Sequence, residues 1–236
     1  MSNRPECVQF GLILLAIAPS LFAEDKTKQV QATTTERMNF APGGTIRIDP
    51  SYGDLRVEGW DLPDVEIAEM KAMPYDYKPK QPDEASWHLE NVQILTERKS
   101  PTEIVISTIL PTRTGFFSLF QPHQTTGSVT IEYEIHVPRD SNLVIRHGTG
   151  SVLVSDVTGN INATCSRGDI ILMLPETHAY SFDAKSKLGT VISDFEGTPR
   201  VRRYRLGENY ATGRPPSSVI HLRVGFGGIT IKAIPP

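Results

Sequence analysis

A chain of 236 residues with 39% hydrophobic and 22% charged side chains can bury a substantial core, as one large domain or two small ones. Its 24 Lys and Arg against 27 Asp and Glu leave a net charge of -3, which excludes a global field for nucleic acid or an anionic membrane surface. An electrostatic partner would have to use a local patch.

Residues 1–23 read as a secretory signal. Arg4 and the amino terminus supply positive charge, and Val8 to Ala18 form an uncharged, mostly apolar run too short to span a bilayer comfortably. Pro19 would hinder cleavage after the small-x-small site Ala16-Ile17-Ala18, which places the cut after Ala23. An uncleaved anchor is the alternative. The mature chain then begins at Glu24 and is exported: periplasmic, cell-surface or secreted. Cys7 precedes the apolar run rather than ending it, which argues against a lipoprotein, and its removal leaves Cys165 with no intrachain disulfide partner. Cys165 lies in a strand-like stretch and reads as a buried thiol; a reactive or intermolecular thiol is the alternative.

Residues 24–40 are mostly polar without sustained periodicity and read as a flexible lead-in. A single β domain is expected over 41–236, with N-terminal strands in 41–140 and a repeat region in 141–236. Alternating, β-branched segments predict strands at Thr45–Asp49, Leu55–Val57, Val65–Met70, Trp87–Thr96, Glu103–Leu110 and Ser128–Val137. Arg98-Lys99-Ser100-Pro101 predicts a hairpin turn. Pro82–Leu89 is the best helix candidate, and no stretch of the mature chain sustains an apolar 3.6-residue stripe capped at both ends. The 18 glycines and 18 prolines, spread along the whole length, suit many short strands with many turns, so the fold class is all-β.

From residue 150 a unit recurs in which glycine is followed by aliphatic or small residues two and four places on. Gly150-Ser151-Val152-Leu153-Val154, Gly159-Asn160-Ile161-Asn162-Ala163 and Gly168-Asp169-Ile170-Ile171-Leu172 step by nine residues. Gly189-Thr190-Val191-Ile192-Ser193 lies 21 beyond Gly168, and Gly227-Gly228-Ile229-Thr230-Ile231 lies 38 beyond that, close to two further coils; Gly53-Asp54-Leu55-Arg56-Val57 is an earlier echo. Glycine supplies the positive φ of a corner, and the second and fourth residues after it share one strand face. Stacking the copies would join Val152, Val154, Ile161, Ala163, Ile170, Leu172, Val191, Ile229 and Ile231 into one core, which is the logic of a short β-solenoid resembling a right-handed β-helix. An antiparallel sandwich with glycine turns is the alternative. Leu153, Ile171 and Ile192 fall on the opposite face, and the N-terminal strands, partly antiparallel, are expected to cover them.

The run GSVLVSDVTGNINATCSRGDIIL, the opening GDLRVEGW, the Val137-Pro138 step and the closing VIHLRVGFGGITI resemble the putative adhesin family of extracytoplasmic β-solenoid domains of unknown function, over most of residues 45–233. The resemblance implies a fold and an extracytoplasmic location and brings no catalytic residues. Two regions depart from the family pattern, Pro74–Gln124 and the arginine-rich segment near residue 200.

The six histidines fall in no His-x-His or HExxH spacing and Cys165 has no CxxC partner, so neither zinc nor any other cofactor is expected. No Gly-x-Ser-x-Gly elbow or Walker A loop is present. Asp54, Asp156, Asp169 and Asp194 could serve a polysaccharide-cleaving β-helix, but carboxylates beside glycines more often accept backbone hydrogen bonds in turns. Arg200, Arg202, Arg203, Arg205 and Arg214 place five charges within fifteen positions, interleaved with Val201, Tyr204 and Leu206. They form either a basic stripe for an acidic glycan or lipid headgroups, or a solvated edge. Phe116, Phe117, Leu119 and Phe120 sit in a loop-like setting and either cap one end of the stack or meet a partner or a membrane; the capping requirement of repeat folds favours the cap. The expected role is a non-enzymatic, adhesin-like binding or scaffold module of the cell envelope, its partner an acidic glycan or another envelope protein. A signalling accessory protein of an envelope response and a carbohydrate-active β-helix enzyme are the rivals.

Overall fold

The computed structural model describes residues 31–73, 89–110, 129–196, 198–201, 207–211 and 218–235. Their architecture is all-β, two mixed sheets around one core. Sheet A is ordered β1 (Gln31–Asn39), β4 (Asp64–Ala72), β7 (Thr130–Pro138), β3 (Asp54–Trp60), β9 (Val152–Ser155), β11 (Ile170–Pro175), β17 (Ile229–Ile234) and β13 (Val191–Ser193). Sheet B is ordered β14 (Thr198–Val201), β15 (Glu208–Ala211), β12 (Tyr180–Leu188), β16 (Ser218–Phe226), β10 (Ile161–Arg167), β8 (Asn142–Thr149), β2 (Thr45–Ser51), β6 (Glu103–Ile109) and β5 (Gln93–Ser100). The predicted strands of the N-terminal part overlap β2 to β7, but the one expected over Trp87–Thr96 begins only at Gln93, after a helical turn over 89–91, and β5 runs through Ser100, so that Pro101-Thr102 rather than 98–101 turns the β5–β6 hairpin. Of the expected helix only Leu89 is described, in a short helical turn over 89–91.

The sequence alternation becomes the burial alternation. In β7, Ile131, Tyr133, Ile135 and Val137 are buried while Glu132 and Glu134 are exposed. Every residue of the predicted repeat core, from Val152 to Ile231, is buried. Cys165 is buried as well, its Sγ 3.7 Å from the Gly150 carbonyl, and burial pushes the thiol above its ordinary range.

The chain passes from sheet B to sheet A at β2–β3, β8–β9, β10–β11, β12–β13 and β16–β17, and the partners stack in the same order in both sheets with parallel neighbours. Parallel strands β6 and β7 extend that order by one level. Antiparallel β4 and β1 close one end of sheet A, β5 the same end of sheet B, and β15 with β14 the opposite end of sheet B.

At each of the five passages stands a glycine with positive φ: Gly53, Gly150, Gly168, Gly227 and Gly189 in stacking order. A Cβ on Gly150, Gly168, Gly227 or Gly189 would lie 1.9 to 2.1 Å from the carbonyl oxygen of the neighbouring glycine in that column. The column is therefore closed to any side chain. Gly159 lies at the opposite corner, against the Ser141 carbonyl. An asparagine ladder runs there: Asn142 Nδ2 donates to the Gly43 carbonyl, Asn160 donates to Asn142 Oδ1, and Val219 N–H donates to Asn160 Oδ1.

Three expectations are corrected. Residues 31–39, read as part of the lead-in, form β1, which pairs with β4 over its whole length; Ala32 to Arg37 are exposed and mostly polar, so backbone pairing rather than an apolar pattern reveals it. The stacking order does not follow the sequence, because β16–β17 inserts between the levels of β10–β11 and β12–β13. The 38 residues from Gly189 to Gly227 include the β14–β15 excursion and a return, rather than two successive coils. The N-terminal strands, finally, do not cover the outer face of the repeats: they hydrogen-bond into the same two sheets, where their own apolar faces join the shared core.

Candidate functional site

The arginines Arg202, Arg203, Arg205 and Arg214 and the aromatic residues Phe116, Phe117 and Phe120 lie outside the described residues. Arg200 stands in β14, opposite Asn209. Residues 111–128, with the aromatic cluster, fall in the chain between β6 of sheet B and β7 of sheet A. Residues 1–30, with the expected signal, also lie outside.

The four aspartates weighed as catalytic candidates are engaged in corners. Asp54 Oδ1 accepts from Ser151 N at 3.3 Å and Ser151 Oγ at 3.0 Å, and Asp169 Oδ1 accepts from Gly228 N at 2.6 Å. Each thus ties the residue after one corner glycine to the residue after a stacked one. Asp194 Oδ2 accepts from Ala233 N at 3.4 Å, and Asp156, itself at φ 56°, pairs with Arg139 at 3.1 Å. A carboxylate held this way locks neighbouring levels together, which is why aspartate follows glycine at two of the five passages.

The histidines are dispersed. His147 is buried against Ser51, His178 bonds Ser218, and His221 lies 3.4 Å from Asp183. Among the described residues no group of three or more His, Cys, Asp or Glu is placed to hold a metal. Likewise among them, no helix is long and apolar enough to cross a membrane.

The distinctive surface is the outer face of sheet A. Register places Thr33, Met70, Glu132 and Asp54 in one row and Thr35, Ala68, Glu134, Arg56, Leu153, Ile171, Thr230 and Ile192 in the next. A depression of about 670 Å³ opens across these rows. At one side stand Asp54, Glu132 and Glu134 around Arg56; at the other, the half-buried Leu153 and Ile171 give an apolar floor, and beyond Thr230 in the same row Ile192 is 59% exposed. The third row holds Arg37, Glu66, His136, Glu58, Ser155, Met173 and Lys232.

Beside that row stands Trp60, opposite Pro138, and it organises the charges. Its indole N–H donates to the Asp64 carbonyl, the Arg37 guanidinium lies 5.1 Å from its ring centre, and His136 stacks on it at 5.0 Å. Arg37 also bonds Asp64 at 2.8 Å and reaches Glu66 at 3.6 Å, and the hydrogen bond with Asp64 raises its pKa further above the arginine range. His136 stands between Glu58 at 3.9 Å and Glu66 at 4.0 Å. The face presents six carboxylates, Asp54, Glu58, Asp64, Glu66, Glu132 and Glu134, around Arg37 and Arg56 and beside the half-buried Leu153 and Ile171.

None of these residues belongs to a chemical motif legible in the sequence. A signal was available: in Thr130–Pro138 and Asp54–Trp60 the charged residues alternate strictly with buried ones. Alternation assigns a face but not a neighbour, and only the pairing of β7 with β3 and β4 brings the carboxylates together.

Comparison with known proteins finds no matching family model and no significant match among curated proteins. Solved structures similar in course include a putative cell adhesion protein from Clostridium sporogenes, 15% identical, covering 86% of this chain and 100% of that one with a TM-score of 0.47. A putative adhesin from Bacteroides fragilis is 10% identical over 85% of this chain and 97% of that one, TM-score 0.22. A putative lipid binding protein from Parabacteroides distasonis is 9% identical over 86% and 95%, TM-score 0.24.

Proposed function

We propose that this chain is a non-enzymatic, exported binding or scaffold module of the cell envelope, adhesin-like, built as a short β-solenoid whose working surface is the outer face of sheet A. The solenoid reading draws support from the common stacking order of the two sheets and from the glycine column at the corners. The observation that carries the function is the depression in which the carboxylates Asp54, Glu132 and Glu134 adjoin the half-buried Leu153 and Ile171. A rigid sheet presenting both chemistries side by side suits a partner of mixed basic and apolar character, which is a protein segment rather than an acidic glycan. An acidic glycan would need the arginine segment at 200–205 instead.

The test sets the two surfaces against each other. The protein is immobilised and challenged with an acidic-glycan array and with peptides alternating lysine and leucine, at low and high salt. Peptide binding that weakens with salt and is lost in Glu132→Lys, Glu134→Lys and in Leu153→Asp, Ile171→Asp supports the reading. Binding confined to acidic glycans, lost in Arg200→Ser, Arg202→Ser and untouched by the sheet A variants, overturns it. Release of sugar from the same glycans would overturn the non-enzymatic assignment.

A further inference from the structure

A sheet edge exposes a row of unpaired N–H and C=O groups that templates another strand, and exported proteins blunt such edges with short strands, charges, proline or bulges. Three of the four edges described here are blunted. Strand β13 has three residues, and Glu208 accepts the Val191 N–H at 2.8 Å. Strand β14 has four residues and carries Pro199. Strand β5 carries Glu97, Arg98 and Lys99, and its register with β6 shifts between Arg98 and Ser100.

Strand β1 is neither short nor bulged and carries no proline. It has nine residues without proline, pairs with β4 without a register shift, and among the described residues has no strand on its other side. Ala32 to Arg37 are all exposed, and Met38 alone in this stretch is half-buried against the core. Its two charges, Glu36 and Arg37, cancel, and Arg37 is drawn onto Asp64 and Trp60 on the sheet face rather than standing guard at the edge.

We propose that this edge pairs with β1 of a second copy, antiparallel about a two-fold axis, joining two A sheets into one. The sequence of the strand fits itself in the register centred on Thr35. Thr35 then faces Thr35 of the second copy, Thr34 faces Glu36, Thr33 faces Arg37 and Ala32 faces Met38. Each pair is polar with polar or apolar with apolar, no like charges stand opposite, and threonine is a strong strand former at such positions. The terminal carbonyl of Asn39 is taken by Arg98, which leaves 32–38 as the pairing segment. A two-fold contact of this kind closes on itself and gives a dimer rather than a fibre. It also sets two sheet A faces side by side, doubling the surface assigned above to binding, but it rests on the edge alone and stands whether or not that face binds a partner.

The experiment reads self-association of the full-length chain, as its producing cell processes it, by sedimentation across a dilution series from micromolar to submillimolar. A monomer–dimer equilibrium is expected. Thr35→Lys sets two ammonium groups directly opposite each other and should raise the dimer dissociation constant about fivefold or more. Thr35 is exposed, so circular dichroism and the melting temperature should stay those of the parent. Thr35→Cys should form a disulfide-linked dimer under mild oxidation, since directly opposed strand residues lie within disulfide reach, whereas Thr34→Cys, which faces Glu36, and the parent with its buried Cys165 should not. A chain that remains monomeric throughout, forms larger assemblies, or dimerises with Thr35→Lys unchanged and no cross-link from Thr35→Cys overturns the proposal.

Discussion

Two neighbouring glycines show how local the constraints on this fold are. A Cβ on Gly227 would sit 2.1 Å from the Gly168 carbonyl oxygen at a φ of +132°, whereas on Gly228 its nearest neighbour is Asp169 Oδ1 at 3.5 Å. Gly227→Ala is therefore expected to cost about 3 kcal/mol or more, combining backbone strain with displacement of the stacked level, and Gly228→Ala less than about 1 kcal/mol; urea denaturation of both variants measures the difference. The polar row just before the corners offers a second residue-scale prediction. Ser51, His147, Cys165, Val224 and Ser186 are in register, and the Ser186 hydroxyl donates to the Gly227 carbonyl at 2.7 Å. His147 is 2% exposed, and burial pushes its pKa below the ordinary histidine value. The unfolded chain binds a proton at His147 near pH 6.5 and the folded chain only at lower pH, so stability is full above about 6.5 and falls as pH drops through it. His147→Asn should flatten that slope in urea midpoints taken between pH 7.5 and 5.5; an unchanged slope would assign it to another group.

At the scale of elements, the strands owe their stability to one buried row each, and the cost of a charge depends on which row receives it. Ile170 in β11 is fully buried between the sheets, while Asp169 one residue earlier points to the corner and accepts from Gly228. Ile170→Asp places an unpaired carboxylate in the core and should cost several kcal/mol, about 3 or more, whereas Asp169→Asn keeps the acceptor oxygen and should cost about 1 kcal/mol or less. Thermal melts of the two variants check the assignment of faces. β11 was legible from its sequence because glycine, β-branched composition and period-2 burial coincide there. β1 was not: it has the alternation of neither a half-buried strand nor a helix, and it is ordered by backbone pairing with β4, which no local pattern encodes.

For the whole molecule, one core cluster runs from Phe40 to Ile231 and draws on both the N-terminal strands and the repeats. β2 and β3 pair directly with β8 and β9, so no boundary at residue 140 separates two cores. The chain is expected to unfold in a single calorimetric transition, and the fragment 141–236 to aggregate when expressed alone, because removing β2 and β3 exposes two apolar-backed edges; a soluble fragment with parent-like strand content would show that the repeats fold independently.

The all-β class, the inward residues of the repeats and the corner glycines were determined by the sequence itself, because each depends on a residue and its neighbours within a few positions. The stacking order, with β16–β17 inserted before β12–β13, depended on which strands meet after long excursions, and the local repeat is the same for either order. The acidic and apolar face of sheet A was likewise written in pieces, in β3, β4, β7, β9 and β11, and became one surface only through cross-strand register. Backbone hydrogen bonding joins strands regardless of side-chain identity, so tertiary pairing alone decided which charges and which apolar residues became neighbours.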